Sequence, residues 1–182
     1  MNRAILLFPL VLAACSSEPT VKAENASVAE VKAKIEQAGG NQVFLSPGRW
    51  ESTVAMDRID IPGMPPQLAE RMKTAMANKT SARCLTPEEA KKPAAEFFAG
   101  KERGGCKYDH FEMGGGDLDA KLLCGAQGGT AEIAMKGNYE PDSFHINMTM
   151  NGKGVPNAPQ GTMSMAMTVD SKRTGECTGQ EG

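Results

Sequence analysis

Apolar and polar side chains alternate through most of the C-terminal half of the chain, and a period of two is the signature of strands. Segments near 106–113, 117–124, 130–137, 143–150 and 162–173 keep this alternation, and Gly-, Asn- and Pro-rich stretches separate them. Short connections between successive strands favour an antiparallel meander. An earlier strand follows Pro47-Gly48-Arg49-Trp50-Glu51 and sets Trp50, Val54 and Met56 on one face. Elsewhere the period is helical. Ser27-Val28-Ala29-Glu30 reads as a capping box, Val28, Val31 and Ile35 form one stripe, and Gly39-Gly40 stops it, predicting an amphipathic helix over 27–40. Pro62, Pro65 and Pro66 interrupt the first strand, after which Leu68, Met72 and Met76 form a second helical stripe through about Ala77. Thr86-Pro87-Glu88-Glu89 caps a third helix, limited or split by Pro93. The expected fold is mainly β, of the α+β class: an antiparallel meander or half-barrel sheet with two or three short helices.

The cysteines add two staples. Setting Cys15 aside leaves Cys84, Cys106, Cys124 and Cys177, an even set with three possible pairings. A hairpin centred on Gly115, within Gly114-Gly115-Gly116, places Cys106 opposite Cys124, Tyr108 opposite Leu122 and Asp109 opposite Lys121. Cys84 is then left to pair with Cys177, a long closure contributing on the order of 4 kcal/mol. No C-x-x-C spacing supports a thiolate zinc site or a redox pair.

The N-terminus changes where this fold is expected to work. A positive start at Arg3, an apolar run from Ala4 to Leu12 and small residues before Cys15 make residues 1–14 a signal peptide, too short to span a bilayer as a helix. Leu12-Ala13-Ala14-Cys15 resembles the box at which bacterial signal peptidases cut lipoproteins. Cys15 then becomes the lipidated first residue, and fatty acyl groups such as palmitate make the membrane a partner. Ser16, rather than an aspartate, follows the cysteine, which points to the periplasmic face of the outer membrane. Residues 15–26 read as a polar tether. Cleavage leaves roughly 170 residues, enough for one β-rich domain over 46–177 plus that tether.

Charge and motifs exclude more than they assign. The chain carries 20 basic and 22 acidic side chains, so it has no basic footprint for nucleic acid. The two histidines, His110 and His145, belong to no H-E-x-x-H or G-x-S-x-G pattern, and no phosphate-cradling loop is present. His110 and Glu112 share a strand face, but near a hairpin tip they read as a solvated pair. The expectation is a non-enzymatic protein with no catalytic residue, no cofactor and no resident metal.

Methionine is the compositional lead, with 12 in the chain. Met148 and Met150 alternate on one strand, and Met163, Met165 and Met167 on the next, so each set lies on a single face. Phe144, Ile146 and Val169 join that face, while His145, Asn147, Thr149, Thr162, Ser164 and Thr168 point away. Met135, Ile133 and Met56 extend it. Such a face is a core under the helices, a groove for an apolar ligand or an envelope-protein segment, or a Cu(I) site of thioethers. His145 faces away from Met148 and Met150, which weakens the copper reading. For a guest, the expected contacts are Trp50, Met148, Met150, Met163, Met165 and Met167.

Pro-Gly-x-Trp-Glu at 47–51, then Cys84-Leu85-Thr86-Pro87-Glu88, then Met-rich strands ending in Gly175-Glu176-Cys177, resembles a family of small bacterial envelope proteins known as a domain of unknown function, of the DUF3617 type. The resemblance covers Ser46 to Cys177, with a somewhat long proline and helix insertion between Pro62 and Lys79. It implies a secreted or lipid-anchored β-rich domain and carries over no activity, ligand or catalytic residue.

Overall fold

The computed structural model describes residues 20–38, 45–77, 79–91, 105–126, 129–155 and 158–181; the leader, Cys15 and Pro93 lie outside them. The order along the chain is β1 (Val21–Ser27), α1 (Val28–Gln37), β2 (Gly48–Asp60), α2 (Pro66–Met76), β3 (Lys79–Leu85), α3 (Pro87–Ala90), β4 (Cys106–Gly114), β5 (Asp117–Ala126), β6 (Gly129–Glu140), β7 (Ser143–Val155) and β8 (Ala158–Gly175). The strands make one open sheet in the order β1-β4-β5-β6-β7-β8-β2-β3, antiparallel at every step. The mainly β class, the short helices and both disulfides are as expected. The meander holds from β4 to β8, while β2 returns from earlier in the chain to pair with β8.

The hairpin of β4 and β5 shows why the register is what it is. Gly115 and Gly116 both have positive φ, as a two-residue I′ turn requires, and Gly114 faces Asp117 across it. Cys106 faces Cys124 and Tyr108 faces Leu122. Between Tyr108 and His110 the register shifts by one residue, so Lys121 faces His110 and not Asp109. The Lys121 ammonium still reaches Asp109 at 3.3 Å. Asn25 on β1, at positive φ, sits at the same level. Paired irregularities on two neighbouring strands let Val21 and Ala23 share a face with Ala26, and Phe111 and Met113 share one with Tyr108.

Residues 21–26, expected as a polar linker, form the edge strand β1, because Val21, Ala23 and Ala26 are buried against β4 and leave only Lys22, Glu24 and Asn25 in water. The sheet therefore takes its first edge strand from residues that precede 46. Ser27 then caps α1 with both arms of the box: its Oγ accepts from the Glu30 N–H, and the Glu30 carboxylate accepts from the Ser27 N–H. Those donors hold the Glu30 carboxyl below its ordinary range. Thr86 and Glu89 repeat the arrangement at α3.

The core lies on one face of the sheet. Its larger cluster joins Val21, Ala23, Ala26, Val28 and Val31 to Tyr108, Phe111, Leu118, Leu122, Met135 and Ile146. A smaller cluster of Leu45, Trp50, Leu85 and Ala90 sits near the other edge and touches Phe144. The Tyr108 hydroxyl is buried with no hydrogen-bond partner among the described residues, and burial pushes its pKa up to about 12. Tyr108→Phe removes an unpaired polar group while keeping the ring against Phe111, 5.1 Å away edge to face. The expected result is a variant as stable as the parent or about 1 kcal/mol more so in urea unfolding. A loss above about 1 kcal/mol would show that the hydroxyl is satisfied.

Candidate functional site

Register brings the expected methionines together. Met148 on β7 lies opposite Met167 on β8, which lies opposite Met56 on β2; Met150 lies opposite Met165, which lies opposite Ile59. Gly152 faces Met163. A register shift in β2 after Met56 turns Asp57 and Arg58 to solvent and returns Ile59 to the methionine face. Toward β6 the same rungs continue through Met135 and Ile133.

Depth separates these side chains. Met56, Met113 and Met135 are buried, whereas Met148, Met150, Met163, Met165 and Met167 are only half-buried. Met148 packs on the edge of the large cluster, and the other four belong to neither cluster. The reason is the placement of the helices. α1 covers the face over β1 and β4, where its Val28 and Val31 enter the core. α2 packs on β2 at the far side. A Cβ on Gly161 would come within 2.5 Å of the Pro62 ring, so the connection into α2 passes close to the first half of β8. The thioethers of β7 and β8 lie between the strands that α1 covers and β2, on which α2 packs.

α2 itself departs from its expected stripe. Leu68 is 47% exposed and Met76 36%, while Ala69, Met72 and Lys73 are half-buried. The helix is therefore rotated, so that two of its large apolar side chains border water and not the sheet. Met64, just before it, is half-buried. These three methionines and the five on the sheet are the accessible thioethers among the described residues.

Trp50 does not join them. It shares the sheet face but lies in the smaller cluster, 4% exposed, stacked on Phe144 with centroids 5.9 Å apart and donating its indole N–H to the Ser46 carbonyl at 2.9 Å. A satisfied, buried indole is a core anchor, so Trp50 leaves the set of expected ligand contacts. Sequence alternation gave its face correctly; it carried no information on its distance along the strands from Met163.

The opposite face is polar. His145 Nδ1 lies 2.6 Å from an Asp170 oxygen, and its Nε2 lies 3.2 Å from the Asn147 amide nitrogen. If that amide donates to Nε2, the ring proton sits on Nδ1, toward Asp170. Thr168 Oγ1 donates to Asp57 at 2.7 Å and lies 3.1 Å from the Asn147 amide oxygen. His145 thus belongs to a surface hydrogen-bond chain, on the far side of the sheet from the thioethers. His110 donates from Nε2 to Asp119 at 2.9 Å, and Glu112 pairs with Lys22, so the structure does not bring His110 and Glu112 together as an acid/base pair. The His110 hydrogen bond, then that of Lys136, lowers the Asp119 pKa. Among the described residues no three His, Cys, Asp or Glu side chains converge as a metal site. No helix among them is long and apolar enough to cross a membrane.

A family profile described as "Protein of unknown function (DUF3617)" matches residues 45–177. No curated protein and no solved structure is detectably similar to the chain.

Proposed function

The chain belongs to the DUF3617 family, which assigns it no chemistry, and we propose from the site itself that it is a non-enzymatic, lipid-anchored envelope protein that holds an acyl chain on the thioether face. The observation that carries this reading is the half-burial of five adjacent methionines on one face of β7 and β8. A core would bury them, as it buries Met56 and Met135. The face from Met163 to Val169 offers about 20 Å along one strand, a length suited to an extended chain. It presents thioethers, Val169 and Gly152, with no charged side chain, so it recognises hydrocarbon rather than a headgroup. Thioethers on flexible stems adapt to varied chain lengths and kinks.

The same chemistry supports the anchor. Residues 1–14 act as the leader, Cys15 as the acylated first residue, and the periplasmic face of the outer membrane as the place of work, where acyl chains are the commonest apolar partner. Because β1 begins at Val21, only a few residues separate the anchor from the sheet.

Native mass spectrometry of the full-length product extracted from the envelope is expected to give a chain starting at acylated Cys15 with a lipid bound. Met150→Glu with Met165→Glu is expected to weaken binding of a fluorescent long-chain fatty acid by about 100-fold, since one unpaired charge in an apolar site costs several kcal/mol. Unchanged fatty-acid binding by a folded double variant overturns the reading. Stoichiometric Cu(I) binding that Met148→Leu and Met150→Leu abolish, without any fatty-acid binding, replaces it with the thioether copper site.

A further inference from the structure

We propose that the thioether face is a sulfoxidation site, and that oxidation of its methionines by a hydroperoxide releases the bound acyl chain. The inference rests on the acyl-chain reading and adds a control to it. Its basis is the division of the methionines into two populations by depth. The five sheet methionines, together with Met64, Met72 and Met76, are half-buried or exposed, while Met56, Met113 and Met135 are buried. The four described cysteines are locked in disulfides, so no thiol among them competes for an oxidant.

The chemistry is a single oxygen transfer. A sulfur lone pair attacks one oxygen of hydrogen peroxide, the S–O bond forms and the O–O bond breaks. Sulfur is oxidised by two electrons, and the other oxygen leaves as water after taking up the proton of the transferred hydroxyl. No further reductant or cofactor enters the step. Reversal requires a methionine sulfoxide reductase.

The surroundings give the product its effect. The rungs around Met150 and Met165 hold Ile133, Ile59, Gly152 and Met163, none of which offers a side-chain hydrogen-bond donor. A sulfoxide oxygen formed there finds no donor among these rung neighbours and takes water. Met148 lies opposite Met167, and Met150 opposite Met165, so oxidation of both members sets two polar groups side by side. Water drawn to one rung wets the next. An apolar face becomes a hydrated one, and hydrocarbon leaves it.

The test treats the folded full-length protein with dilute hydrogen peroxide, follows each methionine by peptide mass mapping, and titrates a fluorescent long-chain fatty acid before and after. The sheet methionines and those around α2 are expected to oxidise at least about tenfold faster than Met56, Met113 and Met135, following their exposure. The oxidised protein is expected to bind the fatty acid at least about tenfold more weakly, and methionine sulfoxide reductases acting on both epimers are expected to restore binding. Met150→Leu with Met165→Leu removes two of the five sheet sulfurs, and its loss of affinity on peroxide treatment, taken relative to its own affinity before oxidation, is expected to be smaller than that of the parent. Binding that survives full oxidation of the five sheet methionines overturns the switch and leaves the acyl-chain reading standing. Absence of fatty-acid binding by the reduced protein overturns that reading and the switch with it. Oxidation of Met56 or Met135 as fast as Met150 also overturns the proposal, since depth would then not select the site.

Discussion

Replacing Cys84 and Cys177 together by alanine is expected to lower the free energy of unfolding by about 4 to 5 kcal/mol, because the bridge closes a long loop in the unfolded chain. The two cysteines are separated by 93 residues, against 18 for Cys106 and Cys124. The shorter loop is worth about 3 kcal/mol by the same relation. A domain of this kind holds only about 5 to 15 kcal/mol in total, so the longer bridge is a large share of it. Its position adds a local effect. β3 is an edge strand paired only with β2, and its residues before Leu85 are half-buried or exposed. The bridge ties it to the end of β8 across β2, where Arg49 faces both Cys84 and Gly175. A second link from the C-terminal tail to the sheet is the Glu181 carboxylate, 3.7 Å from Arg49 Nε on β2. It accepts from the Thr178 and Gly179 N–H groups, which hold its pKa down to about 2. The contribution of these contacts is fully present above the ordinary carboxylate range and is lost as the pH falls toward 2. Urea unfolding of the oxidised parent, the Cys84→Ala with Cys177→Ala variant and the Cys106→Ala with Cys124→Ala variant checks the ranking. A loss below about 1 kcal/mol for the longer bridge would show that it staples nothing the sheet does not already hold.

How far the chain could be read without coordinates depends on what each residue faces. The hairpin around Gly115 was legible because three kinds of signal coincide there: a glycine turn, two cysteines at matching distance, and alternating apolar positions with one buried face. The alternating strands from Cys106 onward were legible for the same reason. The two strands the pattern did not reveal, β1 and β3, are the two edges of the sheet. An edge strand has one neighbour and a wet margin, so Lys79-Thr80-Ser81-Ala82-Arg83 shows no apolar face to read, and Val21 and Ala23 are too few to outweigh Lys22, Glu24 and Asn25. The irregularities at Asn25, Asp109 and Asp57 were equally hidden, since an extra residue leaves local composition unchanged while it shifts every later side chain to the other face. At the candidate site, alternation placed all five sheet methionines on one face correctly. It could not say which rungs the helices cover, because coverage depends on where α1 and α2 come to rest. Trp50 and Met165 looked equivalent on that pattern, and only their positions along the strands separate a packed anchor from an accessible thioether.

Gly137→Ala is expected to cost at least about 3 kcal/mol, and Gly137→Val to prevent folding. Gly137 on β6 lies opposite Leu118 on β5 and Ile146 on β7, side chains exposed by only 1% and 2%. A Cβ added there would run into the His145 carbonyl oxygen on β7, far inside any real contact distance. The obstacle is backbone, so no rotamer change relieves it; β6 or β7 must move. Glycine is the residue that permits such close approach of two strands, and it commonly marks a bend in a sheet. Moving either strand disturbs Leu118 and Ile146 in the large cluster and shifts the β7 rungs that carry Met148 and Met150. The cost therefore has two parts, overpacking at the bend, about 1 to 3 kcal/mol, and loosened packing in the cluster below. Gly115→Ala supplies the contrast. A Cβ there meets nothing within 4 Å, so its cost comes only from a positive φ at an exposed turn, of order 1 kcal/mol. Urea midpoints for the two alanine variants at equal slope give the comparison directly. If Gly137→Ala is no worse than Gly115→Ala, the close approach of β6 to β7 is not a feature of the folded protein, and the registration of the methionine rungs beyond it loses its support.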